Sequence, residues 1–126
     1  HPTEIKAVIN SAKQVYKDRK IICVFQPHRY SRVKLLEKEF ASSFKSSDSV
    51  VLCPVYSAGE KVKYNFNQDN FSRLISSKSK TQVINVYNQK ELKNYFKKNL
   101  LANEMIICMG AGSISNWIRE IGDELK

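Results

Sequence analysis

Apolar residues recur along this chain in two alternating periods, and the switches between them lay out its elements. From Pro2 to Tyr16, Ile5, Val8, Ile9, Ala12 and Val15 fall at helical spacing with Lys6 and Lys13 between them, which predicts an amphipathic helix. Pro2 suits its first turn, where a missing N–H goes unused. Lys20–Gln26 (KIICVFQ) is instead a continuous apolar run ended by Pro27, the pattern of a strand covered on both faces. Helical spacing returns through Val33, Leu36, Phe40 and Phe44, predicting a helix over 32–44 with Ser31 as its N-cap.

The alternation then repeats. Ser49–Val55 reads as a strand, residues 61–67 as a polar loop or short edge hairpin, and Phe71, Leu74 and Ile75 as a short helix closed by a turn at Ser76–Lys80. A strand over Gln82–Tyr87 precedes a helix over Gln89–Leu101 that uses Leu92, Tyr95, Phe96 and Leu100. The last strand, Glu104–Met109, leads through Gly110-Ala111-Gly112 into a helix from Ser113 to Leu125 that buries Ile114, Trp117, Ile118, Ile121 and Leu125. Four strand–helix units behind a leading helix predict an α/β domain of three layers, with a mainly parallel sheet and helices on both faces. No repeat, low-complexity tract or linker divides residues 1–126, so the chain reads as one domain.

Composition adds little to this. An apolar fraction of 42% and a charged fraction of 26% are those of an ordinary globule. No apolar run approaches a membrane span and no signal peptide opens the chain, so a cytoplasmic protein is expected. The start at His1-Pro2-Thr3 suggests a fragment, although a trimmed mature protein would begin the same way. The net charge of +9 favours anionic partners. Its lysines, among them Lys34, Lys38, Lys90, Lys93, Lys97 and Lys98, are scattered along helical stretches without interleaved aromatics, which argues for solvated faces over a nucleic-acid groove. Cys23, Cys53 and Cys108 each lie inside an apolar run. Their odd number and spacing suit neither a disulfide framework nor zinc, so buried, reduced thiols are expected and no metal site.

Chemistry is expected at the carboxyl ends of the parallel strands. In Gln26-Pro27-His28-Arg29-Tyr30-Ser31-Arg32, two arginines three residues apart sit at a strand-to-helix junction. If the junction is helical they share a face, and two guanidiniums clamp one carboxylate or phosphate with His28 beside them. The plainer alternative leaves Arg29 and Arg32 exposed and His28 capping a carbonyl. Tyr56-Ser57-Ala58-Gly59-Glu60 brings a phenol and a carboxylate to the same edge, or is a turn with a solvated Glu60. Gly110-Ala111-Gly112-Ser113-Ile114-Ser115 follows a strand and opens a helix, yet Ser115 stands where a dinucleotide fingerprint has its third glycine, and no acidic partner can follow. It reads as a tight turn near a ligand or a bend that glycine permits. No phosphate-loop lysine motif or nucleophile elbow is present. Taken alone, the chain looks like half of a site.

Four segments, HPTEI (1–5), FQPHRYSR (25–32), YSAGE (56–60) and MGAGSI (109–114), resemble in order and spacing the C-terminal domain of the Mur ligase family, within it the ligases that join L-alanine to UDP-N-acetylmuramate. FQPHRYSR is the most specific of them. The resemblance implies a Rossmann-like domain that closes over a site shared with an N-terminal domain binding the UDP-sugar and a central domain holding ATP and Mg²⁺. It implies an acyl phosphate formed with ATP and attacked by the amine of L-alanine. His28, Arg29 and Arg32 match the family positions that bind L-alanine, and His1 matches the second histidine of an interdomain motif near the nucleotide and amino-acid pockets. The aspartate, tyrosine and first histidine that precede it in the family are not in this sequence. Tyr56, Glu60, Gly110, Gly112 and Ser113 fall in matching segments without assigned roles. By this reading the domain folds alone and is inert alone. Two further possibilities remain: a freestanding α/β module binding a nucleotide or phosphate through Arg29 and Arg32, and a basic nucleic-acid-binding domain.

Overall fold

A computed structural model of the chain describes residues 1–61, 65–100, 103–110 and 112–124. In chain order the elements are α1 (Pro2–Val15), β1 (Lys20–Phe25), α2 (Tyr30–Leu35), α3 (Glu37–Ala41), β2 (Ser49–Leu52), α4 (Gln68–Ser79), β3 (Gln82–Asn85), α5 (Gln89–Asn99), β4 (Glu104–Met109) and α6 (Ser113–Glu124). The four strands form one sheet in the order β3-β2-β1-β4, every pairing parallel. Alternation along β1 divides the core. Cys23 and Phe25 join Ile5 and Ile9 of α1, Val33, Phe40 and Ala41 of α2 and α3, and Phe71 and Ile75 of α4. Ile22 and Val24 join Leu92 and Phe96 of α5 and Ile114 and Ile121 of α6 on the other face. The expected three-layer α/β architecture with helices on both faces is observed.

Several boundaries differ from those the sequence predicts. The helix over 32–44 is two short helices that break at Leu36 (φ −116°, ψ 24°), and the first begins at Tyr30 with Arg29, not Ser31, at its N-cap. Val33 and Phe40 still face the core, so periodicity does not register the break, and Leu35 is left exposed. Helix α4 is longer than Phe71, Leu74 and Ile75 suggest, because serines occupy its remaining inward positions. Buried Ser79 donates to the Ala41 carbonyl and accepts the Phe44 N–H, which satisfies backbone groups where α3 ends. Strands β2 and β3 are shorter than read, although the Cys53 and Val86 amides extend the ladder by one bond each. Within the polar stretch 61–67, residues 62–64 lie outside the described residues and Asn67 caps α4 through its side chain. In α1, Val8 and Val15 are exposed, leaving Pro2, Ile5 and Ile9 as its buried face. Trp117 and Ile118 are only half-buried on α6, and the expected burial of Leu125 lies outside the described residues.

The cysteines also divide. Cys23 and Cys53 are buried, and burial pushes both thiols up to about 12. Cys108 is exposed, against expectation, because β4 is an edge strand with one neighbour. At the amino end of the sheet Asp48 accepts the Ile21 N–H at 2.7 Å and the Lys13 ammonium at 3.1 Å. Desolvation raises this carboxyl, but those two partners outweigh it and hold the group below its ordinary value. No helix among the described residues is long and apolar enough to cross a membrane.

Candidate functional site

The chain leaves β1 toward one face of the sheet, into α2, and leaves β4 toward the other, into α6. This divergence between neighbouring strands opens a crevice at their carboxyl ends, where open parallel sheets collect ligands. A pocket of about 480 Å³ lies there, lined by His1, Glu4, Ile5 and Val8 of the α1 segment, Phe25, Gln26, His28 and Arg32 after β1, Phe40, and Met109 and Gly110 after β4. Its lining combines the basic or imidazole side chains of His1, His28 and Arg32 with the apolar Ile5, Val8, Phe25, Phe40 and Met109.

The 26–32 loop owes its shape to residues 56–60. The Tyr56 N–H donates to the Pro27 carbonyl and the Arg29 N–H to the Tyr56 carbonyl, each at 2.8 Å, which makes a one-residue parallel bridge at His28. The His28 ring stacks on Tyr56 with centroids 5.7 Å apart and planes inclined by 25°, so it does not cap a carbonyl. Arg29 adopts φ 69° and ψ 130°, a region that costs a non-glycine residue about 1–3 kcal/mol. The Glu60 carboxylate accepts both the N–H and the hydroxyl of Ser31. The Ser31 hydroxyl, the largest influence, holds Glu60 below the ordinary carboxylate value; desolvation opposes it, and the N–H groups of Ser31 and Tyr30 and the charge of Arg29 add smaller lowering effects. Glu60 closes a turn through its N–H to the Ser57 carbonyl and is partly exposed, but its carboxylate is engaged by Ser31. It ties two loops together.

The turn after β4 is packed from within. Gly110 and Gly112 have φ of 143° and 126°, and a Cβ on Gly110 would come 2.7 Å from the Gln26 carbonyl oxygen. On Gly112 it would run into the ring of Tyr56. Protein fills the space that these glycines leave toward Gln26 and Tyr56, and Gly110 also borders the pocket, while Ala111 lies outside the described residues. Ser113 opens α6 and its hydroxyl accepts from the Gln26 amide at 3.0 Å. Gln26 opens the loop picked out from the sequence but has no role assigned there. It is 3% exposed, also donates to the Pro54 carbonyl at 3.2 Å and accepts the Ile114 N–H at 3.0 Å. The available signal was a glutamine closing a run of buried apolar residues, where a polar group needs partners.

Of the residues singled out from the sequence, His1, His28, Arg32 and Gly110 meet at one pocket. His1 also caps α1, its Nδ1 accepting the Thr3 N–H at 3.2 Å. Arg29 precedes the helix with non-helical dihedrals, so the shared helical face expected of Arg29 and Arg32 is not formed, and Arg29 is not on the pocket lining. Among the described residues no group of three or more His, Cys, Asp or Glu side chains is placed to hold a metal ion. The donor set at this rim does not fit Mg²⁺.

The family model for the Mur ligase, glutamate ligase domain matches residues 1–112. The chain is 46% identical over 121 residues to a UDP-N-acetylmuramate–L-alanine ligase of Pelagibacter ubique, covering 96% of this chain and 26% of that protein. It is 39% identical over its full length to the enzyme of that name from Fusobacterium nucleatum, again covering 26% of it. The chain thus spans about a quarter of the curated relatives it matches. Among solved structures, UDP-N-acetylmuramate–alanine ligase of Thermotoga maritima superposes with a TM-score of 0.71 at 25% identity, over 99% of this chain and 24% of that one. A murein peptide ligase of Psychrobacter arcticus gives 0.73 at 16% identity, over 99% and 25%, a likeness of fold alone. The family match takes in residues 1–112 of this 126-residue chain, and the chain belongs to the Mur ligase C-terminal domain family.

Proposed function

We propose that this chain is the amino-acid-binding domain of an ATP-dependent, cytoplasmic ligase that joins L-alanine to UDP-N-acetylmuramate in peptidoglycan synthesis, working with an N-terminal and a central domain of the same polypeptide. The pocket at the β1–β4 crevice carries this reading. Arg32 and His28 on the lining suit a carboxylate, Glu4 is the acidic group there, and the apolar residues suit a small aliphatic side chain. A zwitterion with a methyl group matches all three. The relatives named above are ligases for that amino acid.

In this reading Arg32 neutralises the carboxylate of the incoming L-alanine and His28, braced on Tyr56, fixes its orientation. Arg29 approaches from the adjacent Glu60 side as the outer guanidinium, and His1 faces the domain junction. ATP with Mg²⁺, held by the central domain, supplies the phosphoryl group that activates the lactoyl carboxylate. This domain presents the amine to that carbon and closes the site against water.

The test is phosphate release by the full-length protein with ATP, Mg²⁺ and UDP-N-acetylmuramate. Turnover is expected to depend on L-alanine, and the 126-residue chain alone is expected to give none. Turnover that ignores L-alanine, or activity of the isolated chain, would overturn the proposal.

A further inference from the structure

Three loops make the rim, and one side chain touches all of them from below. Gln26 lies at the end of β1, two residues before His28. Its Nε2 donates to the Pro54 carbonyl after β2 and to the Ser113 hydroxyl at the start of α6, while its Oε1 accepts the Ile114 N–H. An amide group has two hydrogens to donate, and both are committed to protein. Gln26 borders the pocket, yet its carboxamide has no donor left for a ligand. Gly110 packs against the backbone of the same residue, so the β4 turn is set by Gln26 through side chain and main chain together.

We propose that Gln26 is a positioning residue for amino-acid binding: it locks the His28–Arg32 loop to the Pro54 loop and to the N-terminus of α6, and so sets the width of the crevice. This rests on the ligase reading, and the two fail separately. Removing the amide leaves the Pro54 carbonyl and the Ile114 N–H without partners in a buried place, which loosens the crevice. The groups that pocket the amino acid then shift, while groups that bind ATP elsewhere do not.

In the full-length enzyme, Gln26→Leu is expected to raise KM for L-alanine about tenfold and to leave KM for ATP nearly unchanged. Gln26→Glu is expected to show the same defect at neutral pH and to recover as pH falls, because a protonated carboxyl donates again from the same place. Equal losses for all substrates, or no change, would overturn the proposal. In the 126-residue chain, Gln26→Leu, which removes the acceptor of the Ile114 N–H, is expected to speed hydrogen exchange at that amide and to shift the His28 ring resonances. An unmoved His28 ring would overturn the coupling whichever amino acid the enzyme uses.

Discussion

A Cβ on Gly112 would fall 2.5 Å from Cγ of Tyr56 and 2.7 Å from each of its Cδ atoms, directly over the ring. The phenol on which His28 stacks is therefore seated against the bare backbone of the β4 turn. A side chain at residue 112 displaces Tyr56, and Tyr56 carries the 26–32 loop with it.

Gly112→Ala combines a clash with a backbone conformation that an L side chain rarely adopts. It is expected to lower unfolding stability by about 3 kcal/mol, read from the urea midpoint. Gly122→Ala is its counterpart inside α6, where nothing lies within 4 Å of the added Cβ. There the gain in helix propensity is expected to stabilise the domain by about 0.5–1 kcal/mol.

Arg32 lines the pocket and Arg29 does not. In the full-length enzyme Arg32→Ala is therefore expected to raise KM for L-alanine by about 10- to 100-fold, the worth of a charged hydrogen bond, with KM for ATP little altered. Arg29→Ala should have the smaller effect of the pair. Steady-state kinetics with each substrate varied in turn will show it; parallel rises for ATP and L-alanine would remove Arg32 from the assigned role.

Glu60 titrates lower folded than unfolded, through the Ser31 hydroxyl first and its N–H next. A depressed carboxyl contributes stability above its ordinary value of 4.5 and loses it as pH falls through the lower folded value. Wild type should therefore be more stable than Glu60→Gln at neutral pH, and the difference should shrink below pH 4.5. Thermal unfolding of both proteins across that range measures it, and a constant gap would show that the carboxylate charge is irrelevant.

The fold was legible because apolar spacing reports which face is covered, and the two faces of β1 divide as KIICVF suggests. What escaped was carried by polar residues in buried places. Ser79 lies beyond the apolar positions of α4, and its hydroxyl, like that of Ser72 within them, finds a backbone carbonyl, so burial costs little once that bond is made. The break at Leu36 escaped for the opposite reason, since it changes no residue's side. At the rim, FQPHRYSR names a loop that borders the pocket, but a helical i, i+3 rule does not reach an Arg29 that stands outside the helix. Gln26 was invisible because its partners, Pro54, Ser113 and Ile114, are distant in sequence and meet only when β1, β2 and β4 are side by side.

Arg29 holds φ 69° and ψ 130°, dihedrals that glycine adopts freely. Judged by folding alone, glycine is the better occupant of position 29, and the guanidinium is there in spite of the backbone. On the proposed amino-acid-binding reading, thermal resilience and any outer role of this guanidinium pull on the residue from opposite ends. A screen that rewards only heat tolerance should drift toward glycine at this position and deliver a sturdier domain.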